Sequence, residues 1–182
     1  LVREAFPGAV ILRPSIVFGA EDKFFNRFAS MARFSPAIPV IGAETRFQPV
    51  WVSDVAEAAA AAADGGAAPG IYELGGPNIY TFRELMRLVL RVIRRRRFIV
   101  ELPMWLARIQ GRILQILPNP PLTLDQVKLL AKDNVVSEGA RGFADLGIEP
   151  EAPEAIVETY LYAYRPYGQY AILTEGRVAD GD

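Results

Sequence analysis

Short apolar runs alternate with amphipathic stretches over the first 78 residues of the chain. The apolar runs predict four strands, at residues 9–12, 37–41, 47–52 and 71–74. Aromatic residues at helical spacing predict a helix over residues 21–34. An alanine-rich stretch predicts a second helix, which starts at the N-cap Ser53, runs to residue 63 and is stopped by Gly65 and Gly66. Strands that alternate with helices are typical of an α/β fold.

The chain after residue 78 is richer in helical patterns. Thr81 and Glu84 have the spacing of a capping box, and the helix that they open carries an apolar stripe. The stripe consists of Leu85, Leu88, Val89 and Val92. Further patterns predict a strand at residues 98–101 and helices at residues 104–117, 123–132 and 154–164. We therefore expect a small helix-rich lobe after the α/β part.

Composition excludes several kinds of chemistry. The 182 residues are 51% apolar and carry a formal net charge of -1, which argues against a general nucleic-acid binder. The chain contains no Cys and no His, so it lacks thiol nucleophiles, disulfides, imidazole bases and the usual zinc ligands. We assign no metal site and no catalytic residue. Of the 20 cationic residues, 17 are arginine. The positions of these charges therefore indicate more about a partner than the net charge does.

The run from Arg13 to Gly19 directly follows the first predicted strand. Pro14 fixes its own φ angle and frees the preceding carbonyl from strand pairing. Ligands of open α/β sheets bind beyond the carboxyl ends of the strands, which makes this loop a candidate binding site. Position alone leaves two interpretations open, a ligand-binding loop and a plain strand-to-loop turn.

Three motifs occur in the order known from one protein family. They are Arg13-Pro-x-x-x-Phe-Gly19, Gln48-Pro-Val-Trp-Val-x-Asp-Val-Ala56 and Tyr72-Glu-Leu-Gly-Gly-Pro77. Together they resemble the back half of extended and atypical short-chain dehydrogenases, the NAD-dependent epimerase/dehydratase family. The stretch from residue 19 to residue 34 more narrowly resembles the short-chain-dehydrogenase-like accessory subunit of respiratory complex I and its bacterial relatives.

The resemblance implies a fold and a cofactor. The fold is the C-terminal part of a Rossmann-like short-chain dehydrogenase. Residues 1–78 then form the remaining part of its core, the last parallel strands with inserted substrate-side elements, and residues 79–165 form a helix-rich lobe. Residues 166–182 show no sustained periodicity, and we expect them to form a flexible tail. The cofactor is NADP(H) or NAD(H), with the loop of Pro14, Ser15, Ile16 and Phe18 beside its nicotinamide end.

Two motifs of that family are absent from the chain. No glycine belongs to a G-x-G-x-x-G loop, and no Tyr stands four residues before any of the three lysines. The chain also starts without Met. The resemblance then implies that the nucleotide-binding half and the acid/base residues precede Leu1. We expect the chain alone to be inactive, to bind no dinucleotide tightly, and to have the missing N-terminal half as its first partner.

The resemblance implies two possible functions, and the arginines at helical spacing suggest a third. The first is a structural or assembly role as part of a dinucleotide-binding accessory subunit, with complex I subunits as partners. The second is an NAD(P)-dependent epimerase, dehydratase or reductase acting on a nucleotide sugar or another small molecule. The third is an adaptor on an anionic membrane surface. We expect a cytoplasmic protein, with a peripheral position at the inner face of a bacterial membrane, or on the mitochondrial matrix side, left open.

Several further residues permit two interpretations each. Asp54 is either a catalytic acid or a carboxylate that offsets the positive first turn of a helix, and the second role needs no partner residue. Four arginines recur at helical spacing and form either a partner or membrane surface or a solvated helix face. These are Arg83, Arg87, Arg91 and Arg94, here called the arginine stripe, and we expect all four to share one exposed face of the helix. The tyrosines crowded between residues 160 and 170 either pack on the core, the simpler account, or form a docking surface.

Overall fold

The computed structural model describes residues 2–103 and 132–168. Its helices are α1 (Val2–Ala5), α2 (Phe25–Phe34), α3 (Val52–Ala63), α4 (Phe82–Val92) and α5 (Pro153–Leu161). Its strands are β1 (Val10–Pro14), β2 (Val17–Phe18), β3 (Ala37–Ile41), β4 (Arg46–Phe47), β5 (Val50–Trp51), β6 (Gly70–Leu74), β7 (Tyr80–Thr81) and β8 (Phe98–Leu102). Two 3₁₀ turns cover Phe143–Leu146 and Tyr162–Tyr164.

Most of the strand pairs are parallel, as the alternation of strands and helices predicts. β1 pairs with β6 over its full length, from Val10 opposite Gly70 to Pro14 opposite Leu74. The pairs β2–β5 and β3–β8 are also parallel, whereas β4 and β7 run antiparallel. Parallel strands place their carboxyl ends at one edge, so the segments that follow β1 and β6 lie side by side.

Three predicted boundaries are corrected by the structure. α2 starts at Phe25 rather than at residue 21, because the Asp22 carboxylate accepts the Phe25 N–H at 2.5 Å and holds the preceding residues in a loop. The predicted strand at residues 47–52 is split into β4 and β5 at Pro49, which cannot donate to a strand ladder. α3 starts two residues early, with Trp51 rather than Ser53 at the N-cap.

The capping box, the apolar stripe and the last helix predicted after residue 78 agree with the structure more closely than these three boundaries do. Thr81 Oγ accepts the Glu84 N–H at 3.2 Å and the Glu84 carboxylate accepts the Thr81 N–H at 2.7 Å, which completes the predicted capping box. All four stripe residues of α4 are buried. The predicted helix at 154–164 is α5 followed by the second 3₁₀ turn. The helices predicted at 104–117 and 123–132, and all but three residues of the predicted tail, lie outside the described residues.

The core consists of two clusters. The larger, here called the aromatic core, is built mainly from α2, β3, α4 and α5, and it includes Phe18, Phe25 and Phe82, each at most 1% exposed. The smaller cluster contains Val50, Tyr72 and Leu74 with Ala58 and Phe143 around them. The aromatic core takes side chains from Phe18 to Leu161 and thus from both sides of residue 78. The division into two lobes stays a prediction.

Candidate functional site

The predicted binding loop lies at the carboxyl end of β1. The Ser15 N–H donates to the Leu74 carbonyl at 2.9 Å, which continues the β1–β6 pairing by one residue. The Ile16 carbonyl then accepts the Val50 N–H at 2.9 Å, at the start of β5. The loop is therefore fixed between the ends of parallel strands, in the position that ligands of open α/β sheets occupy.

The four predicted cofactor residues differ in how they are placed. Pro14 is exposed, and Ser15 is half-buried with its hydroxyl donating to the Asn134 carbonyl at 2.8 Å. Ile16 packs against the aromatic core. The Phe18 ring is 1% exposed and packs edge-on against Phe25, so it contributes to the core and not to the surface of the loop. Contact of this loop with a dinucleotide stays a prediction.

Gln48 is a residue of the site whose contacts the sequence motifs do not reveal. Its side-chain Nε2 donates to the Gly76 carbonyl at 2.8 Å, and its Oε1 accepts the Val136 N–H at 3.0 Å. Its own N–H donates to the Asn134 carbonyl at 3.1 Å. One side chain thus ties the segment after β6 to the segment at residues 134–136. Ser15 contacts the same Asn134 carbonyl, so the loop after β1 is part of this network.

The two glycines after β6 allow this close approach. A Cβ atom on Gly75 would lie 2.5 Å from Gln48 Cδ, and one on Gly76 would lie 1.9 Å from the Pro49 carbonyl oxygen. The Pro49 oxygen is backbone, so packing between the strand ends requires glycine at position 76, whereas a side chain at position 75 would force the Gln48 side chain to move. The Gln-Pro and Gly-Gly parts of two family motifs are therefore in direct contact, 28 residues apart in sequence.

An open concavity of about 410 Å³ lies beside the end of β6. Its walls include Glu73, Phe143, Asp145 and Ile148, and the described lining does not include the loop after β1. The Glu73 carboxylate accepts the Ser137 N–H at 2.8 Å, and this bond, with Arg13 nearby, holds the pKa of Glu73 below its ordinary value. Within residues 2–103 and 132–168, no group of acidic side chains is arranged to hold a metal ion.

Asp54 is buried at the start of α3, 4% exposed, and its Oδ2 accepts the Glu151 N–H at 2.9 Å. Burial raises the pKa of Asp54, the bond from Glu151 lowers it, and the nearby Glu57 raises it further, with a net rise above 3.8. The carboxylate fastens the 150–153 segment to the first turn of α3. This contact agrees with a structural role for the carboxylate in the first turn of a helix.

Replacement of Asp54 by Asn tests that role through pH. Asn keeps an acceptor oxygen for the Glu151 N–H but carries no charge. A raised folded-state pKa means that wild type loses stability as pH rises from about 3.8 through the raised value. We expect the free energy of unfolding of Asp54→Asn, relative to wild type, to increase over that pH interval in urea titrations. A relative decrease would show that the charge itself stabilises the fold.

Two C-terminal tyrosines hold the loop that follows the candidate site. The Tyr160 hydroxyl donates to Asp22 Oδ2 at 2.8 Å, and the Tyr164 hydroxyl donates to Asn26 Oδ1 at 3.1 Å. Burial and then the Asp22 carboxylate raise the pKa of Tyr160, so this phenol stays protonated as a donor. Packing of the tyrosine-rich end on its own core is confirmed for these two residues. Tyr170 lies outside the described residues.

Loss of the Tyr160 hydroxyl is expected to destabilise the fold. A hydrogen bond to a charged acceptor contributes about 1.5–3 kcal/mol, so Tyr160→Phe should lower the free energy of unfolding by about that amount. Tyr162 is 43% exposed and supplies a matched control, because Tyr162→Phe removes the same atom from the neighbouring surface. Urea unfolding measures both. Equal values for the two variants would contradict the importance of the Tyr160–Asp22 bond.

The predicted arginine stripe is only partly a helix face. Arg87 and Arg91 are exposed on α4, but Arg83 forms ion pairs with Glu44 and Glu101, both at 3.0 Å. Arg94 lies beyond the last residue of α4, in a backbone conformation with φ of +53°. The helix ends two residues before Arg94 and the chain turns there. The prediction that all four arginines share one helical face is therefore wrong, and their role at a partner surface stays a prediction.

Three arginines outside the predicted stripe stabilise helix ends. Arg97 Nε donates to the Ala32 carbonyl in the last turn of α2, at 2.8 Å. Arg165 Nε donates to the carbonyl of Val92, the last residue of α4, at 2.9 Å. Arg95 Nε donates to the Tyr164 carbonyl at the end of the second 3₁₀ turn, at 3.0 Å. Each guanidinium satisfies a carbonyl that lacks a helical partner and offsets the negative end of the helix.

No family model matches the chain, but solved structures identify its fold. The protein gox2253 superposes with a TM-score of 0.62 at 24% identity, over 93% of this chain and 52% of that one. The dTDP-glucose 4,6-dehydratase of Bacillus anthracis, solved in complex with NAD, superposes with a TM-score of 0.59 at 13% identity, over 89% of this chain and 46% of that one. The fold is that of the Rossmann-like short-chain dehydrogenases, of which this chain covers about half.

Proteins of similar sequence indicate the relationship more narrowly than the solved structures do. The chain is 35% identical over 179 residues to NADH dehydrogenase [ubiquinone] 1 alpha subcomplex subunit 9 of Arabidopsis thaliana, which covers 92% of this chain and 44% of the relative. The Rattus norvegicus subunit is 34% identical to the chain, over 91% of this chain and 45% of the relative. The NADH-ubiquinone oxidoreductase 40 kDa subunit of Neurospora crassa is 33% identical, over 93% of this chain and 45% of the relative. The chain is a homologue of these complex I subunits, as its motifs indicated, and spans less than half of their length.

In the two described ranges, no helix combines the length and the apolar character needed to cross a bilayer.

Proposed function

We propose that this chain is the C-terminal part of a nicotinamide-dinucleotide-binding protein with a structural or assembly role in a complex of the NADH dehydrogenase type. The observation that carries the proposal is the identity of 32–35% with subunits of that enzyme over more than 90% of the chain. Because the chain spans less than half of each relative, the cofactor and the partners of the whole protein are part of the proposal.

The geometry of the loop after β1 supports one end of a dinucleotide site. Pro14 and Ser15 lie where parallel strands end, and Pro14 is exposed. The Ser15 hydroxyl uses its proton on the Asn134 carbonyl, so its oxygen lone pairs stay available to accept a bond from an amide N–H. A nicotinamide carboxamide carries such a group. The pyrophosphate needs the backbone donors of a Gly-rich loop, which this sequence lacks.

Calorimetric titration with NADPH tests the cofactor. We expect no binding tighter than the micromolar range by the isolated chain and clear binding by the full-length protein, because the full-length protein would supply the phosphate loop. In the full-length protein, Ser15→Trp should weaken binding by crowding the nicotinamide end, whereas Ser53→Trp, at an exposed position of α3, should not. Tight binding by the isolated chain, or equal binding by the two variants, would contradict the assignment.

Complex assembly provides a separate test. A tagged full-length protein, expressed in its own host, is expected to migrate with NADH dehydrogenase subunits on a native gel. Deletion of the gene should reduce the amount of the assembled complex without loss of a small-molecule conversion. We propose a peripheral location on the inner face of the bacterial membrane, or on the matrix side of a mitochondrial one. Migration only as a free protein would contradict the assembly role.

An enzymatic function is the second candidate, and the fold favours it. Solved neighbours with this architecture include a dTDP-glucose 4,6-dehydratase with NAD, although at 13% identity this likeness shows the fold alone. The candidate requires a Tyr-x-x-x-Lys pair outside the 182 residues, since none occurs within them. Turnover of a nucleotide sugar by the full-length protein, measured by chromatography of substrate and product, would favour the enzyme over the structural role.

A further inference from the structure

Two segments of the chain contain no acidic residue. Residues 23–43 and residues 85–100 lack Asp and Glu entirely but carry nine of the 20 cationic residues. The structure brings these segments together, because α2 packs against α4 and β3 pairs with β8. A chain with a formal net charge of -1 thus concentrates positive charge at one end.

The cationic side chains cluster where α2 ends and β8 begins. Arg97 reaches the Ala32 carbonyl, and Arg33 lies directly after Ala32 in the chain. Burial lowers the pKa of Arg95, and the positive charges of Arg97 and Arg33 lower it further. Like charges so placed repel one another, and an anionic partner would relieve that repulsion.

Two phenylalanine rings are exposed in the same place. Phe34 is 82% exposed with Arg33 5.5 Å from its ring centroid, and Phe98 is 76% exposed. Phe98 is held beside the end of α2 by its N–H, which donates to the Pro36 carbonyl at 3.1 Å. Exposed rings of this size cost free energy in water unless something covers them. Arg96 is exposed and lies two residues before Phe98 in the chain. We call Arg33, Phe34, Arg96 and Phe98 the basic-aromatic surface.

We propose that the basic-aromatic surface binds an anionic phospholipid bilayer. Arginines attract the charged headgroups, and phenylalanine rings enter the boundary between headgroups and acyl chains, the combination that interfacial protein segments use. A bilayer supplies both counterparts together, charged headgroups for the arginines and an apolar phase for the rings. The inference rests on the peripheral membrane location of the proposed function and deepens it, but it does not require dinucleotide binding, so lipid binding and NADPH titration can fail independently.

Vesicle flotation with the full-length protein tests the proposal. The probes are vesicles of phosphatidylcholine alone and of phosphatidylcholine with phosphatidylglycerol as the anionic lipid. We expect binding only to the anionic vesicles at about 0.01 M salt, where the screening length is about 30 Å, and much weaker binding at about 1 M, where it is about 3 Å. Equal binding to both vesicle types, or none to either, would overturn the proposal.

Charge variants identify the surface. Arg33→Glu with Arg96→Glu should weaken vesicle binding at least thirtyfold, from the loss of about 1 kcal/mol for each arginine near the membrane. Arg3→Glu with Lys132→Glu makes the same change in net charge at exposed positions outside the two acid-free segments. We expect this control double variant to bind anionic vesicles with nearly the affinity of wild type. An equal loss in both pairs would show attraction to net charge and would overturn the assignment.

Aromatic variants distinguish the bilayer from an acidic protein. Phe34→Ser with Phe98→Thr keeps all charges, and circular dichroism confirms that each variant is folded. We expect this pair to lose vesicle affinity while its weak attraction to soluble polyglutamate stays unchanged. If wild type binds polyglutamate tightly and anionic vesicles not at all, the partner is an acidic protein and the bilayer proposal is wrong.

Discussion

Replacement of Gly76 by Ala is expected to destabilise the protein by about 3–5 kcal/mol, in the range where single substitutions are exceptional. The new Cβ would lie 1.9 Å from the Pro49 carbonyl oxygen, which is backbone and cannot move aside as a flexible side chain can. The φ angle of Gly76 is not in the left-handed region, so the effect comes from steric overlap and not from backbone strain. Urea unfolding of the variant measures it.

Gly8 provides the matched control for this substitution. A Cβ there would meet only the Phe6 ring, at 3.5 Å, which is ordinary van der Waals contact. We expect Gly8→Ala to change the free energy of unfolding by less than about 0.5 kcal/mol. If Gly76→Ala were equally mild, the contact between the Gln48-Pro49 segment and the Gly-Gly pair would be looser in solution than in the structure.

Truncation of Phe82 to Ala is expected to cost about 3–5 kcal/mol. The Phe82 ring is 1% exposed and contacts Phe24, Phe28 and Phe47, with ring centroids 5.4–5.9 Å away. Removal of the ring leaves a cavity at the centre of the aromatic core, which α2 and α4 can fill only by moving together. Chemical denaturation, with the m-value checked for two-state behaviour, gives the size of the loss.

Phe34→Ala is the control for the aromatic core, because the same side chain is removed from an exposed position. We expect a change within about 0.5 kcal/mol. A large loss at Phe34 would mean that the ring is buried in the folded protein, which would also remove one element of the basic-aromatic surface.

The parts of the fold that the sequence predicts well depend on residues close together in the chain. The capping box of Thr81 and Glu84 spans three residues and is found as predicted. The parallel strand β6 and the glycine that ends α3 follow equally from local composition. In each case the interaction that decides the structure lies within one turn or one strand, so periodicity and turn chemistry suffice.

The parts that the sequence does not predict depend on long-range contacts. α2 starts late because Asp22 binds Tyr160, 138 residues away, in addition to the Phe25 N–H. Likewise, nothing local to Gln48 reveals that its amide joins Gly76 and Val136. The helical spacing predicts Arg83 on the exposed arginine stripe, whereas in the structure Glu44 from another segment forms an ion pair with it. A single sequence contains these residues but not their proximity.

The distance in sequence between the tyrosines of the C-terminal end and their acceptors affects how the chain is made. Asp22 and Asn26 leave the ribosome 138 residues before Tyr160 and Tyr164. At about 5–20 residues per second, that interval is roughly 7–28 s. During this time the aromatic residues of α2, and Phe82 of α4 once it has been made, lack the cover of α5, which packs on both helices in the finished protein. The nascent chain therefore exposes phenylalanine-rich surface to solvent, and transiently exposed apolar surface of this kind is the reason that chaperones are needed.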